Sequence, residues 1–249
     1  MNPIKNIYFI YLLILLSSHT LADTINEERK FTIYAKLPVV PKIPVMEIKT
    51  ILEIEDKKYN YEFIIESKNI VEFISPVNGK GEVDGIIGDQ YQPLNYIYKY
   101  TRKNKDKYVE ISYDENLVNK IIVLPDYDKS ELSPITENML VGTIDPSTFF
   151  LSLLDYDKTA ECTKNFKIFD GKRRYDIIFE EITKNKKNNN IECEAKQIRL
   201  GGYKLNEKVS DIFASSDYIK VIYSDSTENE FIGYEAKNGS VNIMIQEVI

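Results

Sequence analysis

The amino-acid sequence predicts a mainly β protein: a curved antiparallel sheet, or a partly open β-barrel or sandwich, with one short helix around 146–156. Three observations carry this expectation. Apolar and polar side chains alternate with period two along most of the chain, the pattern of strands with one buried and one wet face. The breaks between alternating runs are short and polar, as hairpin turns are. One segment alone carries the chemistry of a helix start.

The strands follow in order. Met46, Ile48, Thr50, Leu52 and Ile54 alternate with Glu47, Lys49, Glu53 and Glu55, and Tyr59, Tyr61, Phe63 and Ile65 alternate with Asn60, Glu62 and Glu66. Tyr96, Tyr98 and Tyr100 share one face, and Val109, Ile111 and Tyr113 another. The same rhythm returns at Tyr175, Ile177 and Phe179, at Ile219, Val221 and Tyr223, and at Val241, Ile243 and Ile245. Asp56-Lys57-Lys58, the basic stretch Arg102 to Lys107, Lys184 to Asn190 and Lys237-Asn238-Gly239-Ser240 read as the turns between them. The last holds the Asn-Gly pair favoured where φ turns positive. Gly79, Gly81, Gly85 and Gly88 read as glycines at a sheet bend. They are not a phosphate loop, because the strand–turn–helix order and a Lys-Ser or Lys-Thr ending are missing. Asp145 stands where an N-cap oxygen belongs and Pro146 at the first helical position. Phe150, Leu153 and Leu154 then share a face of a short amphipathic helix that lies on the sheet or plugs it.

Composition narrows the function. The 249 residues carry a formal charge of −7, which argues against a nucleic-acid partner, since phosphate binding relies on clustered Lys and Arg. Residues 1–22 read as a secretory signal peptide: Lys5, then the unbroken apolar run Ile7 to Leu16, then Thr20-Leu21-Ala22 with small residues where signal peptidase takes them. Cleavage is expected after Ala22, leaving 23–249 as a single β-rich domain without an integral membrane span. The run is about half the length a bilayer-spanning helix needs. The only histidine, His19, falls in that leader. A metal site, a catalytic thiol and a histidine-based triad are therefore not expected, and no cofactor is. Cys162 and Cys193 are the only cysteines. In an oxidising compartment they read as one disulfide, worth about 3–4 kcal/mol on the chain-entropy model, with two separate buried thiols as the alternative.

Four pieces of the sequence, in order, resemble a known family. They are the tyrosine strand after Pro93 with its basic turn; Ser133-Pro134-Ile135-Thr136 leading to Gly142-Thr143-Ile144-Asp145-Pro146-Ser147; Cys162 followed by Phe169-Asp170-Gly171-Lys172-Arg173-Arg174-Tyr175-Asp176; and Cys193 followed by Gly201-Gly202-Tyr203-Lys204. Together they resemble the bacterial exported proteins of domain-of-unknown-function family 3108, over a stretch from about Phe31 to the C-terminus. The string around Asp170 is the most specific element. Asp145, Pro146, Asp170, Gly171, Arg174 and Tyr175 map to the motif positions, with Cys162 and Cys193 as the pair. The resemblance implies a periplasmic or envelope location and an antiparallel β structure, and it brings no catalytic residues. The Gly201-Gly202 pair, where one glycine is expected, and the lysine-rich body depart from the pattern.

Physically, Asp170-Gly171 reads as a two-residue hairpin. With Tyr175, Ile177 and Phe179 inward, Arg173 faces inward too, while Lys172 and Arg174 face out beside Asp176. A buried guanidinium demands an acidic partner, so Arg173 is the candidate ligand-binding residue, or else half of a structural Arg–Asp pair. The carboxylate pairs Glu180-Glu181 and Asp155/Asp157 are what an acidic chain produces by chance, and no G-x-S-x-G elbow exists. The expectation is a non-catalytic envelope protein binding an amphipathic ligand such as lipid. The alternatives are an envelope assembly scaffold that binds other proteins and, behind it, a carboxylate-dependent hydrolase. A cavity of several hundred Å3 speaks for a ligand carrier, and a filled interior for a scaffold.

Overall fold

The computed structural model describes residues 24–39, 41–155, 157–159, 162–204, 218–227, 229–238 and 241–248. The expected leader at 1–22, Tyr156 and the Gly239-Ser240 turn lie outside the described residues. Thirteen strands make one antiparallel sheet: β1 (Thr24–Lys36), β2 (Ile43–Glu55), β3 (Lys58–Ser67), β4 (Val77–Ile87), β5 (Tyr91–Arg102), β6 (Lys105–Asp114), β7 (Leu117–Leu124), β8 (Phe166–Phe169), β9 (Arg174–Asn185), β10 (Asn190–Gly201), β11 (Tyr218–Ser224), β12 (Phe231–Asn238) and β13 (Val241–Glu247). Among the described residues three short α-helices join them: α1 (Asn69–Ile74), α2 (Glu137–Leu140) and α3 (Pro146–Leu154).

Consecutive strands pair except β7 and β8, which form the two edges, and β1 pairs with β13 as well as β2, giving the order β7-β6-β5-β4-β3-β2-β1-β13-β12-β11-β10-β9-β8. Register shifts at Ile33/Tyr34, Asp84/Gly85, Ser112/Tyr113 and Ile222/Tyr223 bend the strands. The sheet curls until its two edges approach without pairing. Gly171, just past β8, lies against the Val109 and Val123 side chains of β6 and β7. The seam is spanned by the chain between β7 and α3. Ile144 bridges to Ile168 of β8, Gly142 N–H donates to the Asn116 carbonyl in the β6–β7 turn at 2.8 Å, and Ser133 N–H donates to the Tyr203 carbonyl at 2.8 Å.

The glycines of β4 sit beneath aromatic rings of its neighbours. A side chain at Gly81 would strike the Phe63 ring, and one at Gly79 would strike Tyr98. Gly85 lies at the Asp84/Gly85 bulge, under Tyr59.

Helix α3 is not an amphipathic helix resting on the sheet. Ser147, Thr148, Phe149, Leu151, Ser152 and Leu153 are buried, around most of its circumference. Phe149 and Leu153 pack into a cluster formed by β1 and β8–β13, and Leu151 into a second formed by β2–β6. The expected Phe150 face is shared between both clusters. The helix therefore plugs the curled sheet and ends at Leu154. Cys162 and Cys193 are joined, with Cα atoms 5.8 Å apart, tying the chain that leaves α3 to β10 inside the first cluster.

Candidate functional site

The plug leaves space only partly filled on both of its sides. Between α3 and the end of the sheet that carries α1, the β5–β6 turn and the β8–β9 loop (the upper end) lies a chamber of about 310 Å3. Its wall is aromatic and aliphatic: Tyr61, Phe63 and Ile65 of β3, Tyr96, Tyr98 and Tyr100 of β5, Phe150 of α3 and Tyr175 of β9. The inward positions of β5 supply a ladder, with Tyr98 and Tyr100 stacked at 4.7 Å and Phe63 against Tyr98 at 5.4 Å. Burial holds the hydroxyls of Tyr61, Tyr96, Tyr98 and Tyr175 well above the ordinary tyrosine value, so the wall is uncharged.

The chamber shares Tyr100, Val109, Asp170 and Arg173 with a wider mouth of about 580 Å3 at the upper end. There the inward strand positions turn from aromatic to basic. Arg102 continues the Tyr96–Tyr98–Tyr100 face, and Lys107 continues the face of Val109 and Ile111; Lys172 and Arg173 come from the β8–β9 loop. The one carboxylate among the residues lining this mouth is Asp170. An opening of the opposite sign faces the other end, lined by Glu27, Glu28, Asp155, Asp157, Glu230 and Glu247 around Arg29.

The β8–β9 loop is built differently from the expected two-residue hairpin. Residues 170–173 form the turn, with Asp170 N–H donating to the Arg173 carbonyl at 3.2 Å. The Asp170 carboxylate accepts from the backbone N–H groups of Lys172 and Arg173 at 2.9 and 2.6 Å and from Arg173 Nε at 2.7 Å. Gly171 stands at φ +89°, a left-handed conformation that glycine adopts without strain. Because these residues are outside the strand, alternation does not govern them. Lys172 points to the mouth rather than out, its ammonium 5.1 Å from the Tyr127 ring centre. Arg173 faces the chamber, as expected, and it meets Asp170 there.

Arg174 opens β9 on the outer face, yet it is only 2% exposed. The seam segment covers it: Nε donates to the Met139 carbonyl at 2.7 Å, and one terminal nitrogen donates to the Tyr175 carbonyl and to Asp176 Oδ1, both at 2.6 Å. The expectation of a solvent-facing Arg174 fails because sequence alternation says nothing of a loop that folds over the outside of the sheet.

Beneath the chamber floor, Asp145 caps α3 as expected. Its Oδ1 accepts from Ser147 N–H and Thr148 N–H at 2.8 and 2.9 Å, and its Oδ2 accepts from Thr148 Oγ1 at 2.6 Å. Desolvation pushes this fully buried carboxyl up to about 6, although these bonds favour its ionised form. Tyr59 joins the group through Thr148 Oγ1 at 3.3 Å. The carboxylate is thus engaged at the helix start, and Pro146 and Ser147 beside it form part of the chamber wall.

The sequence profile described as "Protein of unknown function (DUF3108)" matches residues 30–246. The chain belongs to that family. The motif positions of this DUF3108 chain thus fall into two groups. Asp170, Tyr175 and Pro146 meet at the chamber, while Asp145, Gly171 and Arg174 hold the plug and the seam. Among solved structures, the β-barrel-like protein of domain of unknown function DUF1849 from Brucella abortus matches at TM-score 0.47 and 7% identity, over 91% of this chain and 97% of that one. No curated protein matches. Among the described residues no helix is long and apolar enough to cross a membrane, and no three His, Cys, Asp or Glu are grouped to hold a metal ion.

Sequence reasoning singled out Arg173 but not Arg102 and Lys107. The signal was present: both continue, at i+2 and i−2, the aromatic and aliphatic faces that mark β5 and β6 as half-buried.

Proposed function

We propose that this chain is an exported, non-catalytic envelope protein that holds an anionic amphiphile such as a fatty acid or lipid. The apolar part occupies the aromatic chamber, and the acidic head group sits at the mouth among Arg102, Lys107, Lys172 and Arg173. One observation carries the reading: an aromatic chamber, charged only where Asp170 and Arg173 border it, opens into a mouth lined by four cations against one carboxylate. Volumes of 310 and 580 Å3 are in the range of small-molecule sites, whereas a scaffold calls for no such space. Export to the periplasm rests on the leader-like residues 1–22. The non-catalytic reading rests on the absence of histidine after that leader and on the use of Asp145 as a cap.

The test is extraction and mass spectrometry of the protein purified from cells, with titration of a fluorescent fatty acid in vesicle-free buffer. Wild type is expected to take up the probe saturably. Arg173→Gln is expected to weaken it by about tenfold or more, the loss of one charge-assisted contact, while a neutral-headed analogue binds both proteins equally. Absence of both co-purifying amphiphile and saturable uptake overturns the reading.

A further inference from the structure

The upper end bears apolar side chains that are exposed among the described residues. Helix α1 follows β3 and turns Val71 inward to the mouth, leaving Ile70, Phe73 and Ile74 outside at 57, 88 and 72% exposure. Leu124, at the end of β7, lines the same mouth and is also exposed. The β5–β6 turn stands beside the helix, since Lys103 N–H donates to the Pro76 carbonyl at 3.3 Å, immediately after α1. That turn carries Arg102, Lys103 and Lys105, all exposed, next to Lys107, Lys172 and Arg173 of the mouth. The carboxylates nearby are Glu66, Glu72, Asp106, Asp126 and Asp170. Asp106 is engaged by Thr101 Oγ1 at 2.7 Å, and Asp170 by Arg173.

We infer that this end docks on the surface of an anionic lipid bilayer, with Phe73 and Ile74 inserted at the level of the acyl boundary and the mouth facing the membrane. Exposed aromatic and branched side chains flanked by Lys and Arg are what an interfacial contact needs, apolar area for the boundary and cations for the head groups. Charge complementarity selects the bilayer over other occupants and fixes the orientation. The chain as a whole is acidic, yet Arg102, Lys103, Lys105, Lys107, Lys172 and Arg173 stand together at this end. Glu27, Glu28, Asp155, Asp157, Glu230 and Glu247 line the opposite opening, with the basic turns at Lys57-Lys58 and at 184–187 set apart at the hairpin tips of that end. An anionic surface is therefore attracted to the cluster beside α1 and repelled by the lining of the opposite opening. Docking does not require the chamber to be occupied.

The experiment uses the protein purified from cells expressing the full chain. It contains no tryptophan, so Phe73→Trp installs a single tryptophan at the contact, excited selectively above the tyrosine band. With vesicles containing phosphatidylglycerol, its emission is expected to shift to the blue and to be quenched by brominated acyl chains, and the protein to float with the vesicles. Neutral phosphatidylcholine vesicles are expected to do neither, and high salt to reverse binding. The paired substitution F73D/I74D is expected to cut vesicle binding by about tenfold or more, without loss of fold, because both side chains are exposed. Fatty-acid uptake in vesicle-free buffer should be unchanged by F73D/I74D and weakened by Arg173→Gln, so failure of the docking and failure of the cavity reading are separable. An unshifted Phe73→Trp spectrum, equal flotation of F73D/I74D, or a self-association that F73D/I74D abolishes in place of vesicle binding each overturns the inference.

Discussion

Asp145 shows what a single side chain costs and contributes when it is sealed inside. Its carboxylate satisfies two backbone donors at the head of α3 and the Thr148 hydroxyl, yet desolvation raises its pKa from 3.8 to about 6. Between those values the folded protein retains a proton that the unfolded chain has released. The contribution of this group to stability is therefore greatest below pH 3.8, falls as pH rises to 6, and is flat above that. A shift of this size corresponds to roughly 3 kcal/mol across the window. Asp145→Asn, which keeps an acceptor for the two N–H groups, should flatten the slope of unfolding free energy between pH 4 and 6. Asp145→Ala, which leaves both donors bare, should lower stability by about 2 kcal/mol even at pH 7. Urea denaturation at a series of pH values distinguishes the two, and an unchanged slope in Asp145→Asn would show that another group titrates there.

At the scale of the element, β4 holds the test. Its outward and inward faces are unremarkable, but Gly79, Gly81 and Gly85 make room for rings of β3 and β5. Gly81→Ala places a methyl group against the Phe63 ring and should destabilise the protein by about 1–3 kcal/mol. Gly88→Ala meets nothing closer than 3.8 Å and should be nearly silent. Thermal unfolding of the two variants, a few degrees apart or more in midpoint, is the measurement. β2, β3, β5, β6, β9, β11 and β13 are legible in the sequence because period two survives in them, and the alternation from Tyr59 to Ile65 is the burial pattern of β3; β7, Leu117–Leu124, shows no such rhythm. What the rhythm hides is chemistry at strand ends. Residues 170–173 look like strand and turn in equal measure, and only the Asp170 side chain, folding back on two backbone N–H groups, decides that they form a four-residue loop. Helix α1 left no readable signature either, since six residues are too few for helical periodicity to emerge.

For the whole molecule, the decisive feature is how a sheet with two free edges becomes an enclosure. A curved sheet with a helix was legible from alternation and from the Asp145-Pro146 start. Its closure was not, because residues 125–144 carry no periodic pattern and owe their place to contacts distant in sequence. Arg174 is the main such contact, its buried guanidinium reaching the Met139 carbonyl on one side and Asp176 on the other. Bonds of this charged kind contribute about 1.5–3 kcal/mol, so their removal should let the seam open locally, roughly tenfold to a hundredfold more often, without unfolding the sheet. In Arg174→Ala, hydrogen exchange should therefore accelerate at the amides of Ser133 and Ile144, whose partners Tyr203 and Lys167 lie across the seam, and at Gly142, which ties the segment to Asn116 on the near edge. The amides of β1 at the centre of the sheet, around Phe31 and Ile33, should keep their protection. Uniform acceleration across both regions would mean instead that the enclosure and the sheet form one cooperative unit, with the seam as strong as any strand pair.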